Sequence, residues 1–149
     1  SSDATEVPSS EPELRTADDF YKRGLALQNA AKCNKAIEYY QKAVEKKRGH
    51  TEAWTGRGEC HVKLGELISA TSAFKNGLEQ NGKFEPALFG LANVLKLQGK
   101  EDEAAAAFEK YLSFHPNGSH AVQAMKYLEE LQGQAPAGED DASGQPTSP

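Results

Sequence analysis

With 149 residues, 38% hydrophobic and 26% charged side chains and a formal net charge of -5, the chain suits one soluble globular domain. No apolar run approaches the roughly 20 residues that a membrane-crossing helix needs, and no basic start followed by an apolar stretch marks a signal peptide. Membrane insertion is therefore excluded as a role for this segment.

Residues 1–16 are rich in Ser, Pro, Asp and Glu and nearly empty of large apolar side chains, so they cannot offset the entropy of ordering and are expected to form a disordered linker or tail. Residues 133–149 have the same character. The chain begins at Ser1 and its one methionine is Met125; with linker-like sequence on both sides, a piece of a longer protein is expected rather than a processed chain.

Between the tails, apolar residues recur at helical spacing. Thr16 is placed to cap a first helix carrying Phe20, Gly24 and Leu27 on one face, and Ile37, Tyr40 and Val44 repeat the spacing after a short turn at Ala31-Lys32. Thr51 is the expected cap of the next helix, with Trp54, His61 and Leu64; Gly65 then allows a left-handed turn into Leu67, Phe74 and Leu78. Pro86 suits the first turn of a third pair, which runs through Leu88, Leu91 and Leu95, turns at Gly99, continues with Ala104, Phe108 and Leu112, and stops at Pro116. A last helix is expected over residues 119–131, with Ala121, Val122, Met125 and Leu128 on its apolar side.

These elements share one register. Phe20-Gly24-Ala36-Tyr40-Ala43, Trp54-Gly58-Ala70-Phe74-Gly77 and Leu88-Ala92-Ala104-Phe108-Tyr111 superpose at a step of 34 residues. A period of that length predicts stacked helix-turn-helix units, none able to bury its apolar face alone. Gly24, Gly58 and Ala92 face Ala36, Ala70 and Ala104 where the two helices of a unit come close, and Tyr40, Phe74 and Phe108 fill the space between units. Lys126 and Glu129 break the pattern in the last helix, which is therefore expected to be a solvating cap with no second helix to pack on. The fold class is all-α: an α-solenoid of seven helices, divided into repeats 17–50, 51–84 and 85–118 and a capping helix 119–132, within a domain of 17–132.

On these small and aromatic positions the chain resembles the tetratricopeptide repeat family over residues 17 to 132, departing at Arg48 and Gly82, where the family usually has the proline that Pro116 supplies. The resemblance implies a right-handed superhelix whose first helices line a concave groove for an extended peptide or a helix. Mapped by position, its lining is Tyr21, Leu25, Gln28 and Asn29, then Thr55, Glu59, Val62 and Lys63, then Phe89, Asn93, Lys96 and Leu97. Tyr21, Leu25 and Phe89 are the expected anchors, and Asn29 and Asn93 the expected holders of a peptide backbone. Family members that grip a chaperone tail's carboxylate use Lys, Asn and Arg at places where this chain has Tyr21, Leu25, Gly56, Pro86 and Gly90, so that clamp is not expected. Family geometry also brings Cys33 near Cys60. Two buried thiols in a cytoplasmic protein are the expectation, and a disulfide in a periplasmic or otherwise exported protein is the alternative.

No catalytic, cofactor-binding or metal site is expected. His50, His61, His115 and His120 have no metal-ligand spacing, and His61 occupies a core position. Gly56-Arg57-Gly58 lies inside a helix rather than after a strand, and Asn117-Gly118-Ser119 fits an inter-helix turn better than a glycosylation site. The basic run of Lys42, Lys46, Lys47 and Arg48 lacks interleaved aromatic residues, which argues against nucleic acid. Residues 17–50 carry eight Lys and Arg against four acids, whereas 85–118 carry three against five. The expected function is a non-catalytic scaffold or adaptor that binds another protein. The alternatives are a regulatory appendage of a larger signalling protein or enzyme, and self-assembly of the basic first repeat onto the acidic cap region, the latter not favoured.

Overall fold

Residues 13–133 are described by a computed structural model, and most of both expected tails, residues 1–12 and 134–149, lie outside the described residues. Seven helices follow one another: α1 Ala17–Asn29, α2 Cys33–Lys46, α3 Thr51–Lys63, α4 Leu67–Gln80, α5 Glu85–Leu97, α6 Glu101–Phe114 and α7 Ala121–Gly133, with no strand among the described residues. The chain is an all-α solenoid: α1 packs on α2, α3 on α4 and α5 on α6, each pair then packs on the next, and α7 closes the series against α6.

Local chemistry explains where the helices begin. Thr16 Oγ1 accepts from the Asp19 amide at 3.0 Å while Asp19 Oδ2 accepts from the Thr16 amide at 3.0 Å, a reciprocal cap that satisfies two donors with no helical partner. The second expected cap is corrected. The His50 carbonyl accepts from the Ala53 and Trp54 amides at 3.1 and 3.2 Å, so α3 already includes Thr51, and His50 Nδ1 provides the side-chain cap by accepting from Ala53 at 3.2 Å.

Gly65 and Gly99 both take φ of 78° at the turns within the second and third pairs, as expected of residues without a Cβ. Ala31 holds the same place in the first pair at φ 62°. The left-handed conformation costs an L-residue about 1–2 kcal/mol, and glycine gives back part of that through a freer unfolded chain. Ala31→Gly is therefore expected to stabilise the fold by about 0.5–1 kcal/mol, read as a higher denaturant midpoint at unchanged slope.

The core consists of repeated seats for aromatic rings. Tyr40, Phe74, Phe108 and Tyr111 are fully or almost fully buried. A Cβ at Gly24 would come within 2.8 Å of the Tyr40 ring, and one at Gly56 within 2.5 Å of it. Phe74 sits the same way against Gly58 and Gly90. Each ring is thus clasped by a small residue of its own pair and by one of the following pair. Gly56 and Gly90 form a second small-residue row that continues 34 residues on to Ala124, also buried.

The cap differs from its expectation in two ways. It starts at Ala121 rather than 119, because Ser119 and His120 are held by Glu85 and Tyr111 before the helix begins. It is also less polar outside: Lys126 and Glu129 are exposed, but Val122 and Met125 are too, at 77% and 50%. The reason is register. Ala121 and Ala124 face the preceding pair, whereas Val122 occupies the place of Trp54 and Leu88, which are buried in complete pairs; α7 has no second helix to cover it.

Candidate functional site

Because α1 touches α3 and α3 touches α5, the first helices of the pairs share one face. Two adjoining clefts open on it. The first, of about 100 Å³, lies between α1, α3 and the start of α5 and is walled by Tyr21, Leu25, Tyr40, Phe84 and Pro86, with Glu52, Thr55, Glu59 and Gln28 supplying its polar atoms. The second, of about 280 Å³, lies between α3, α5 and the start of α7. Phe74 and Phe89 give it aromatic walls, Val62, Pro86 and Gly90 complete the apolar part, and Gln28, Glu59, Lys63, Asn93 and His120 the polar part. Gln28, Glu59 and Pro86 belong to both clefts.

The residues expected to line a groove divide accordingly. Tyr21, Leu25, Gln28, Thr55 and Glu59 reach the first cleft, and Val62, Lys63, Phe89 and Asn93 reach the second. Asn29, Lys96 and Leu97 line neither cleft; Asn29 and Leu97 are exposed, and the Lys96 ammonium sits 4.4 Å from the Tyr127 ring centre. Two of the expected anchors are partly committed to the fold. Tyr21 lies 5.9 Å from Tyr40 and 5.0 Å from His50 between ring centres, and Phe89 stacks on His120 at 4.3 Å. The ring floors Tyr40 and Phe74 and the wall residues Glu52, Phe84 and His120 were not among the expected lining. Part of that set was readable, since stepping 34 residues from Glu52 gives Pro86 and then His120.

A hydrogen-bond relay separates the clefts. The Tyr40 hydroxyl donates to Gln28 Oε1, and Gln28 Nε2 donates to Glu59 Oε1 at 3.0 Å, so the relay ends on a carboxylate. Burial raises the Tyr40 phenol well above its ordinary range, with Tyr21 and Glu59 adding to the effect. Burial also raises Tyr21, reinforced by the nearby charges of Glu52, Glu59 and Asp18.

At the far end of the face, a second network joins the third pair to the cap. Glu85 Oε2 accepts from the Tyr111 hydroxyl at 2.5 Å and from Ser119 Oγ at 2.9 Å, and the His120 amide donates to the Tyr111 oxygen at 2.9 Å. The Tyr111 hydrogen bond, helped by Ser119 and His120 against partial burial, holds the Glu85 carboxyl down at about 2, while burial and the Glu85 partner push Tyr111 up to about 12. A carboxyl whose folded value lies below its ordinary 4.5 adds stability that is complete above about pH 4.5 and is lost as pH falls toward 2. With the carboxylate side chain 23% exposed, that contribution is about 1–2 kcal/mol. Glu85→Gln is expected to flatten the loss of stability between pH 5 and pH 2.5 by that amount, measured by urea unfolding across the range.

Cys33 and Cys60 are joined as a disulfide with their Cα atoms 5.1 Å apart, which corrects the expectation of two separate thiols. Packing explains the pairing: Cys33 opens α2, and Cys60 lies in the same buried cluster on the side of α3 that faces the first pair. His61 is a buried histidine whose Nδ1 lies 2.7 Å from Glu66 Oε1 across the turn. Among the described residues no group of three or more His, Cys, Asp or Glu is arranged to hold a metal ion, and no helix is long and apolar enough to cross a membrane.

The fold and register have counterparts among known proteins. The family model of the cilia and flagella-associated protein 70 middle TPR-like domain matches residues 16–140. The peroxisomal targeting signal receptor of Debaryomyces hansenii is 30% identical over 102 residues, which make up 68% of this chain but only 17% of the receptor. Among solved structures, the first TPR of Spaghetti bound to the HSP90 peptide SRMEEVD aligns with a TM-score of 0.74 at 19% identity, covering 83% of this chain and 98% of that one. YrrB, described as a TPR protein with an unusual peptide-binding site, aligns with a TM-score of 0.69 at 27% identity, covering 75% of this chain and 58% of that one. The match over residues 16–140, together with the stack of helical pairs, shows that the chain belongs to the tetratricopeptide repeat family, within the group of the cilia and flagella-associated protein 70 middle TPR-like domain.

Proposed function

We propose that the chain is a non-catalytic scaffold or adaptor that captures an extended segment of a partner protein along the face shared by α1, α3 and α5. The observation that carries this reading is the pair of adjoining clefts, each floored by a buried ring beneath a helical glycine: Tyr40 below Gly56 and Phe74 below Gly90. Concave, mostly apolar clefts with a few convergent polar groups are the usual form of peptide sites. The peptide-bound Spaghetti domain and the peptide site of YrrB support the same use of this fold.

Leu25 and Asn93 give the cleanest test, since Leu25 is 36% exposed and neither forms part of a core cluster, unlike Tyr21 and Phe89, which pack against the core. Leu25→Ala combined with Asn93→Ala is expected to weaken capture of the native partner by about tenfold or more while shifting the melting temperature by only about 2 °C. Full binding by a folded double variant places the contact on another surface.

Of the two compartments read from the sequence, the disulfide favours an exported or periplasmic setting over the cytoplasm. Because both sulfurs are buried, alkylation of the protein unfolded without reductant tests this, and two modified cysteines return it to the cytoplasm. Self-assembly has one observation in its favour, the uncovered Val122 and Met125 on α7. Sedimentation that shows a monomer at both low and physiological salt removes that reading.

A further inference from the structure

We propose that the first cleft is a seat for the basic side chain, Lys or Arg, of the captured segment, while the second cleft takes a large apolar side chain beside it. This rests on the groove reading above and adds the chemistry of the ligand. At about 100 Å³ the first cleft has room for one side chain, and its walls are of two kinds. Tyr21 and Phe84 present aromatic surface above the buried Tyr40 ring, and a guanidinium or ammonium is attracted by the ring quadrupole. Glu52 and Glu59 supply the charge, and no Lys or Arg lines the cleft. The polar relay runs from Tyr40 through Gln28 and ends on Glu59, so its groove end is an acceptor.

Several further observations agree on the sign. Glu52, Glu59 and Asp18 all act on Tyr21 in the direction of a negative local potential. His50 packs against Tyr21 with Nε2 3.5 Å from Asp18 and Nδ1 3.6 Å from Glu52, is only 8% exposed and does not line the cleft, while Lys63 lines the adjoining one. Rings and carboxylates wall this cleft with no Lys or Arg among them, so the complementary charge is positive. The second cleft is larger, about 280 Å³, and Phe74, Phe89 and Val62 give it an apolar lining suited to Leu, Met or an aromatic side chain. Residues 1–12 and 134–149 contain no Lys or Arg, so neither of these segments supplies the cation. The occupant that complements both clefts is an extended basic-and-apolar segment of another protein.

The test uses the full chain and dye-labelled, N-acetylated peptides of neutral small residues that carry one leucine and one variable residue, Arg, norleucine or Glu, at each short separation. Fluorescence anisotropy is expected to show the Arg peptide binding about tenfold more tightly than the norleucine peptide at the best separation, with the Glu peptide weakest. Glu52→Gln combined with Glu59→Gln brings the Arg peptide down to the norleucine level. The wild-type preference also shrinks between about 50 mM and about 300 mM salt, an independent reading in case the double variant fails to fold. Equal binding of the Arg and norleucine peptides, both weakened by Leu25→Ala, overturns the basic seat and leaves the groove standing. A preference for the Glu peptide overturns it as well. No binding by any peptide removes the groove reading along with it.

Discussion

Replacing Phe74 with Ala is expected to cost about 3–5 kcal/mol, the largest effect of any single substitution considered. The ring is 1% exposed and lies between two glycines, Gly58 of its own pair and Gly90 of the next. Neither glycine has a side chain that can move into the space, so the cavity stays open and the cost falls toward the upper part of that range. Since neighbouring pairs hold a solenoid together through their interfaces, the same change is expected to uncouple the second pair from the third and broaden the unfolding transition. A double-mutant cycle separates this from a general weakening of the core. Gly90→Ala alone drives a Cβ into the Phe74 ring and is expected to destabilise by about 1–2 kcal/mol, the crowding being partly offset by better helix propensity. In the Phe74→Ala background the added methyl enters vacant space and is expected to stabilise. Additive effects in the cycle exclude the ring-on-glycine contact as the source of the coupling.

Opening the disulfide is expected to lower stability by about 2–4 kcal/mol. The bond joins residues 27 apart in sequence and ties α2 to α3, so in the unfolded chain it closes a loop of that length and removes conformational freedom that reduction restores. Unfolding by guanidinium with and without a phosphine reductant reads the difference, and a steeper dependence on denaturant is expected in the reduced form because its unfolded chain is more expanded. Cys33→Ala combined with Cys60→Ala is expected to match the reduced protein and to lose all response to reductant. Identical midpoints under both conditions, with two cysteines alkylated when the protein is unfolded without reductant, show that the sulfurs are unpaired in solution.

Phe20, Trp54 and Leu88 illustrate how far the sequence reading extends. They share a place in a 34-residue register, and the helices, their order and their pairing all follow from it, because each pair contacts only its neighbours and every partner lies a fixed distance along the chain. Tyr21, Leu25, Gln28, Thr55 and Glu59 were expected on a common face from the family resemblance, and they line one cleft. His50 was not readable as a cap: Thr51 has the better cap chemistry, but the backbone closes its first turn on the His50 carbonyl. The exposure of Val122 and Met125 was hidden by their resemblance to Trp54 and Arg57 of a complete pair, where a second helix is present to cover the first.

The sequence by itself determined the architecture, since a period that recurs without insertion specifies which side chains meet wherever the contact repeats from pair to pair. Only the tertiary structure decided what does not repeat. Cys33 and Cys60 have no counterparts one step along, the Glu85–Tyr111–Ser119 network forms only where the stack ends, and Gly56 and Gly90 reveal their role only once Tyr40 and Phe74 stand beneath them. The charge of the first cleft is of the same kind. Glu52 and Glu59 are ordinary surface carboxylates in the sequence, and they come to line one cleft with Tyr21 and Phe84 because the helices bring those residues to one place.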